Sequence, residues 1–413
     1  MRVVLISKYA ATADSAIPSR QYFFAKKLSG RGHEVMLAYS RSNGSQHQKI
    51  RGRYSRTRDG SLEMVRFNGP LVTLGINVKR IWSWFLFEYR LFRSMRLFRE
   101  FKPDVVLVSS LSFFTFLFGI HLKKKLRIPL VLEVRDIYPL TLVEVGGYSP
   151  RNPIIRIMGR LERNAYRNAD LIISSLENAS QHIERISGQP VPFVWLPMGF
   201  MNGLYREESD ESTLALIDRI RELRKKSRFV VAYAGTLGEA NALEEVMQLT
   251  QDEDIITKSI SFVFIGDGPK RKQLEERYAS VNVLFLGPVK KAFLPLLLEN
   301  CDLLINTWLC RPIYRFGISP NKWIDYMYAA RPILLALNHT SRIFTDSNCG
   351  WQVKAQDYEL LKGELIRVAG LTAEALNEKG LCGKIYLLRE LDYDRLTDKL
   401  ENHLIQVVNG RNG

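Results

Sequence analysis

Arg228-Phe229-Val230-Val231-Ala232-Tyr233-Ala234-Gly235-Thr236-Leu237-Gly238 decides the fold. Phe229 to Ala234 is an unbroken apolar run, the pattern of a strand covered on both faces. It stops at a glycine turn, and a helical stretch from Leu243 to Thr250 follows. The chain has already done this once: Arg2-Val3-Val4-Leu5-Ile6 opens it, with the helical stretch Arg20–Arg31 behind. Working outward from the two starts, strands are expected at Val3–Ser7, Glu34–Tyr39, Val105–Val108, Leu130–Val134 and Leu171–Ser174. A second series is expected at Phe229–Ala234, Ser261–Ile265, Val283–Leu286, Leu303–Asn306 and Pro332–Ala336. Helical patterns such as Pro153–Asn168, Lys270–Ala279 and Lys322–Tyr328 alternate with them. Such alternation predicts an α/β fold of doubly wound parallel sheets. Two starts predict two domains, as does a length of 413 residues, more than one hydrophobic core usually supports. The polar stretch Asn202 to Lys226 separates the series, and Leu196-Pro197-Met198-Gly199-Phe200 before it suits a hinge. One domain is therefore expected over 1–199 and another over 200–390.

Composition narrows the class. Hydrophobic residues make up 46% and charged residues 25%, which is a globular balance. Met1-Arg2 runs straight into Val3-Val4-Leu5-Ile6, and the most apolar stretch, Val105 to Leu122, contains Ser109, Ser110, Ser112 and His121. These features predict a cytoplasmic chain without a leader or a spanning helix. The cysteines, Cys301, Cys310, Cys349 and Cys382, lack C-x-x-C spacing and read as reduced structural thiols. The net charge of +16 is unevenly placed. Residues 1–199 hold 31 Lys/Arg against 14 Asp/Glu, whereas residues 200–413 hold 28 against 29. The asymmetry predicts that the first half meets something anionic: a membrane face, a phosphorylated acceptor or nucleic acid. Ile76 to Lys102 interleaves Trp82, Trp84, Phe85, Phe87, Tyr89, Phe92, Phe98 and Phe101 with Lys79, Arg80, Arg90, Arg93, Arg96, Arg99 and Lys102. It reads equally as a helix lying on an anionic bilayer and as a core helix with a wet basic face. Lys49 to Arg58 reads as a solvated basic loop.

Several chemistries are missing. No G-x-G-x-x-G follows Val3–Ser7, and there is no Walker A, H-E-x-x-H or G-x-S-x-G. Asp252-Glu253-Asp254 and Asp392-Tyr393-Asp394 follow helical or polar segments and read as solvated carboxylates, not metal ligands. What stands at strand ends is glycine: Gly235 and Gly238, then Gly266-Asp267-Gly268-Pro269, then Gly287-Pro288. Glycines there let backbone amides approach an anion at a helix start. In Phe316-Gly317-Ile318-Ser319-Pro320-Asn321-Lys322-Trp323-Ile324-Asp325-Tyr326-Met327, Ser319 is expected as a helix cap and Pro320 in the first turn. Lys322 beside the positive helix end suits a diphosphate, and Asp325, three residues on, suits ribose hydroxyls; a local Lys–Asp pair on a capped helix is the alternative.

In order and rough spacing, these segments resemble glycosyltransferase family 4: Ala234-Gly235-Thr236-Leu237-Gly238, Phe264-Ile265-Gly266-Asp267-Gly268-Pro269 and Ser319–Met327 ending in Arg331-Pro332-Ile333-Leu334. In the first half, Pro18-Ser19-Arg20, Lys27-Leu28 and Arg31-Gly32-His33-Glu34-Val35 are similar to the family's opening helix and second strand. Glu133-Val134-Arg135-Asp136-Ile137-Tyr138-Pro139 resembles the acceptor-side motif of bacterial members that assemble surface polysaccharides such as O-antigen and capsule. The resemblance implies the GT-B fold, two Rossmann-like domains facing each other across a cleft, with the helix 394–408 crossing back onto the first. It implies retaining transfer from a UDP- or GDP-sugar to a glycan or lipid-linked hydroxyl acceptor, with no metal or other cofactor and no nucleic acid. Gly235, Thr236, Gly238, Gly266, Ser319, Asn321, Lys322 and Asp325 fall on the donor side. Ser19, Arg20 and Arg135 fall on the acceptor side, and Asp136 is the catalytic candidate. The implied place is the cytoplasm, peripheral on the inner face of the plasma membrane. Departures from the pattern mark a subfamily: Gly317 and Asp325 replace the usual glutamate pair, Thr236 and roughly Asn241 the usual Arg and Lys, Ser15-Ala16 a glycine pair, and Arg135 a histidine. Two other readings stay open. A GT-B sugar-nucleotide epimerase would need acid/base groups, for which Asp136, Glu133 and His33 are candidates; a basic nucleic-acid binder would need a recognition module, and none is evident.

Overall fold

The computed structural model describes residues 1–12, 19–40, 51–70, 78–109 and 114–410; Pro18, Ser15-Ala16, Lys49 and Ile76 lie outside them. The chain divides into two compact units, Met1–Gly199 with Arg315–Ile318 and Tyr393–Gly413, and Phe200–Tyr314 with Ser319–Asp392.

The first unit carries strands β1 (Arg2–Ile6), β2 (Glu34–Ser40), β3 (Tyr54–Asp59), β4 (Leu62–Phe67), β5 (Val105–Ser109), β6 (Leu130–Val134), β7 (Leu171–Ser174) and β8 (Phe193–Trp195). Its sheet has the order β3-β4-β2-β1-β5-β6-β7-β8. Every pair is parallel except β3 with β4. Its helices are α1 (Arg20–Gly30), α2 (Val78–Arg93), α3 (Met95–Phe101), α4 (Thr115–Leu126), α5 (Leu140–Glu144), α6 (Pro153–Asn168) and α7 (Ala179–Ser187). The central strands β5, β6 and β7 are buried along their whole length, which is why each is a continuous Val/Leu/Ile run. The stretch read as a loop before Arg58 becomes the edge strand β3. Its Tyr-Ser-Arg-Thr-Arg-Asp sequence is mostly exposed and shows no apolar alternation, and register with the clearly patterned β4 makes it a strand.

The second unit has β9 (Phe229–Ala234), β10 (Ile260–Ile265), β11 (Val283–Leu286), β12 (Leu303–Thr307), β13 (Ile333–Ala336) and β14 (Gly350–Val353), all parallel in the order β11-β10-β9-β12-β13-β14. Around it lie α8 (Glu211–Lys225), α9 (Glu244–Leu249), α10 (Glu253–Thr257), α11 (Arg271–Tyr278), α12 (Leu294–Leu298), α13 (Asn321–Tyr328), α14 (Arg342–Ser347), α15 (Tyr358–Ala369) and α16 (Ala373–Glu390). The polar interruption read as a linker is largely α8. Asp210 caps it through Thr213 N–H, and Ile217 and Ile220 anchor its inner face. Connections run to opposite sides from β1 and β9, so the reversal of strand order falls at β1/β5 in one sheet and β9/β12 in the other. Ligands of doubly wound sheets bind outside the carboxyl ends at such reversals.

The last helix, α17 (Tyr393–Asn409), belongs to the first unit. Tyr393, Leu396, Leu400 and Leu404 are buried, with Tyr393 ringed by Phe23 at 4.8 Å and Phe24 at 5.4 Å. Ion pairs Lys27–Asp394, Arg31–Asp398 and Arg31–Glu401 tie it to α1 and the turn that follows.

Candidate functional site

In the second unit the site grows from the turn after β9. Gly235 has φ +150 and its N–H donates to Ile265 O at 2.9 Å. Gly266, at φ +139, lies so close beneath that a Cβ would collide with the Gly235 carbonyl, and a Cβ on Gly268 would collide with Leu237. Leu237 N–H donates to Asp267 O at 2.9 Å. These glycines thus interlock two loops, and the amides of Gly235 and Leu237 are spent inside that contact. The sequence reading gave the amides to an anion; the structure gives these two to the scaffold. Thr236 is exposed, and its carbonyl accepts from Tyr233 OH at 2.9 Å and Asn241 Nδ2 at 2.8 Å. Gly238 leads into a short helical turn, Glu239–Asn241.

Lys322 faces this turn. It is the second residue of α13, whose Tyr326 hydroxyl accepts the Ala234 N–H at 2.8 Å and so fixes the helix over the end of β9. Lys322 Nζ donates to Asn241 Oδ1 at 2.7 Å and Tyr233 OH at 3.2 Å, and sits 4.6 Å from the Tyr233 ring centre. The residue keeps some accessible surface, yet protein surrounds its ammonium with no carboxylate partner among these contacts. Desolvation pushes its pKa down to about 7. The helix begins one residue later than expected. Pro320 is the cap and offers no side-chain hydrogen bond, so Ser319 stands outside the helix and exposed Asn321 opens it.

Asp325 does not pair with Lys322. Its buried carboxylate accepts from Lys291 Nζ and from Tyr205 OH at 2.5 Å. Burial raises its pKa and Lys291 opposes the rise. Gly317, in the place of the family's first glutamate, has φ +98, where a side chain would be strained.

In the first unit, Ser19 caps α1 by accepting from Tyr22 N–H at 3.4 Å. Arg20 is turned inward. Its Nε meets Glu133 Oε1 at 2.6 Å, with side-chain exposures of 0% and 1%, and its remaining nitrogens donate to Leu196 O and Pro197 O. Gln21 Nε2 donates to Glu133 Oε2 at 2.5 Å. Burial alone would raise the Glu133 carboxyl, but Arg20, then Arg135, Gln21 and Ser109, outweigh it and hold it below its ordinary value. Arg20 therefore braces the end of β6, and the residues that leave that end toward solvent are Arg135, partly exposed, and Asp136, exposed. Asp136 stands at a mainly apolar hollow lined by Val108, Phe116, Leu132 and Val134. Surrounding protein raises its carboxyl pKa and Arg135 lowers it, the first effect winning.

The structure brings together Gly235, Thr236, Lys322 and, beneath them, Gly266. It also supplies partners that the sequence reading did not put in the site: Tyr233 and Asn241 for Lys322, and Lys291 and Tyr205 for Asp325. Asn241 had one signal, its rough alignment with a family lysine; Lys291 and Tyr205 had none. Among the described residues no group of three or more His, Cys, Asp or Glu is placed to hold a metal ion.

Both halves match known families. Residues 22–199 match the glycosyl transferase 4-like domain, and residues 228–370 match the domain described as glycosyl transferases group 1. The probable glycosyltransferase WbjE of Pseudomonas aeruginosa is 24% identical over 292 residues, 69% of either chain. Sucrose-phosphate synthase from Thermosynechococcus elongatus superposes with a TM-score of 0.72 at 11% identity, over 99% of both chains. HepE from Anabaena, solved in complex with UDP, superposes with a TM-score of 0.66 at 14% identity, over 98% of this chain and 100% of its own. Likeness at such identity shows the fold, two parallel-sheet units of the GT-B type. With a glycosyl transferase 4-like domain followed by a glycosyl transferases group 1 domain, the chain belongs to the GT-B glycosyltransferases.

Proposed function

We propose that the chain transfers a sugar, with retention, from a UDP- or GDP-sugar to a hydroxyl of a lipid-linked or polysaccharide acceptor in bacterial surface-glycan assembly, at the cytoplasmic face of the membrane. The observation that carries this reading is the Lys322 ammonium, held by Asn241 and Tyr233 beside the Gly235 turn. Transfer leaves negative charge on the departing diphosphate, and a pre-placed amine at a helix start, protonated as the diphosphate binds, stabilises that charge more than it stabilises the intact donor. The ammonium can fill this place without a metal. Asp136, exposed at the end of β6 with its carboxyl pKa raised by the protein packed around it, orients the acceptor hydroxyl and can hold its proton transiently. That HepE was solved with UDP supports a uridine donor.

The geometry weighs against an epimerase. Of its three acid/base candidates, Glu133 is consumed by Arg20 and Gln21, and His33 Nε2 is bonded to Glu401 Oε1 at 2.6 Å. Incubation with labelled UDP- and GDP-sugars, a membrane extract and a chelator tests the proposal. Label transferred with the donor's anomeric configuration is expected; inversion of the anomeric centre, an absolute need for magnesium, or an epimerised free donor would each overturn a stated part.

A further inference from the structure

We infer that the outer face of α16 is a dimer contact, on which a second copy of this chain lays the same helix antiparallel about a two-fold axis. The contact lies wholly in the second unit and would form whichever sugar the chain transfers.

The inner face of α16 is fixed. Leu376, Tyr386 and Leu387 are buried on it, and two glycines bring its backbone close to its neighbours. A Cβ on Gly380 would collide with the Ala330 carbonyl, and one on Gly383 would press on Cys349. With this face the helix packs on α13, α14 and β14, so it cannot roll to hide the other. On that other face Leu381, Ile385 and Leu388 are 52%, 50% and 47% exposed. Their spacing, four and three, makes one stripe along the helix. Among the described residues of this unit the other exposed large apolar ones, Leu214, Ile256, Val281 and Leu360, stand apart on α8, α10, the turn before β11 and α15. Such single residues need no explanation, but a stripe of three on an anchored helix does.

Charge along the stripe identifies the occupant. Glu374 and Glu378 precede the apolar residues on the same face and Arg389 follows them, at steps of three and four; all three are exposed. Among the described residues Glu378 has no hydrogen-bonding or ionic partner, and Arg389 meets its chain neighbour Glu390 at 3.0 Å. An antiparallel copy turns this order end for end. Arg389 of each helix then meets Glu378 of the other, and the apolar residues interlock between the two pairs, because the midpoint of 378 and 389 falls between Leu381 and Ile385. A parallel copy would set Glu378 on Glu378 and Arg389 on Arg389. An anionic bilayer or a nucleic acid would meet Glu374 and Glu378 with like charge. The wider charge agrees. Residues 200–413 hold 28 Lys/Arg against 29 Asp/Glu, so two copies meeting through this half bring no net repulsion, whereas the basic half would. Three half-exposed side chains from each copy make a small contact, which places association in the micromolar range.

The test is sedimentation velocity of the full chain, from low micromolar to several hundred micromolar protein. A reversible equilibrium of monomer and dimer is expected. Leu381→Ser with Ile385→Ser is expected to weaken it at least about tenfold while melting as wild type. Glu378→Arg alone and Arg389→Glu alone each set like charges at both pairs, and each is expected to weaken self-association at least about tenfold. Mixed together, these two single variants restore both pairs, so the mixture is expected to form a heterodimer as readily as wild type dimerises. Wild type that stays monomeric throughout, a Leu381/Ile385 double variant that dimerises like wild type, or single charge variants that stay monomeric when mixed would each overturn the inference. So would charge variants that each dimerise alone as well as wild type.

Discussion

Binding of UDP should draw a proton from solution above neutral pH, because Lys322 is largely uncharged in the free protein there. Its pKa of about 7 leaves roughly one-tenth of the ammonium at pH 8, by simple titration. A diphosphate within contact distance favours the charged form and would raise the value by about two units or more. The complex is then about nine-tenths protonated, so Lys322 should take up roughly 0.8 proton per UDP at pH 8 and only about 0.1 at pH 6. The terminal phosphate, with a second pKa near about 6, contributes little at the higher pH. The sign follows: apparent affinity falls as pH rises, by at most about 1.4 kcal/mol per unit between pH ~7 and ~9. Calorimetry in buffers of different ionisation enthalpy reads the proton directly, as the slope of observed enthalpy against buffer enthalpy. Lys322→Ala should lose the slope and weaken binding at pH 6 by about 1.5–3 kcal/mol, the range of a charge-assisted hydrogen bond. A flat slope for wild type at pH 8 with tight UDP binding would refute the reasoning. So would a slope that survives in the alanine variant.

Asp136→Asn should reduce transfer at least about tenfold with donor affinity unchanged, measured by initial rates and calorimetry, since the contact matters only as the acceptor reacts. Glu133→Gln should destabilise the first unit by about 3–5 kcal/mol in denaturant unfolding, because it leaves the Arg20 guanidinium buried without its counter-charge. Asp325→Asn should lower stability by about 3 kcal/mol through Lys291 while leaving UDP affinity near wild type; a tenfold affinity loss with intact stability would return Asp325 to the ribose. Gly266→Ala should cost about 3 kcal/mol or more and weaken UDP binding together, because no Cβ fits against the Gly235 carbonyl.

The core of both sheets was legible in the sequence because parallel strands are buried on both faces and therefore spell themselves as apolar runs. Leu130–Val134, Leu171–Ser174, Phe229–Ala234 and Val283–Leu286 fall where those runs place them. Four strands escaped notice: Leu62–Phe67, although its own apolar alternation marks it, and three whose neighbours, not their own residues, decide them. Tyr54–Asp59 is a polar edge, Gly350–Val353 is only half-buried, and Phe193–Trp195 is three residues long. Helix α8 was hidden for a related reason: Glu, Asp, Arg and Lys on three sides look like a linker until Ile217 and Ile220 find the sheet. In the site, local features were legible and pairings were not. The glycine turns and the position of Lys322 can be read from order along the chain. That Lys322 would meet Asn241, 81 residues away, and that Asp325 would meet Lys291, 34 away, depends on loops whose course no spacing rule encodes. The assignment of amides failed similarly, since a glycine that frees a backbone for a ligand and one that frees it for a neighbouring loop look alike in sequence.

The place of α17 has a consequence for how the protein is made. The first sheet emerges from the ribosome before the second, yet the helix that covers Phe23 and Phe24 with Tyr393, and ties down Lys27 and Arg31, is synthesised after both. Residues 200–392 are complete before it, so the second unit can close while the first still shows water the apolar groove meant for Leu396, Leu400 and Leu404. Birth order and completion order are reversed, and a nascent chain stalled near residue 390 would carry a finished second unit and an unfinished first.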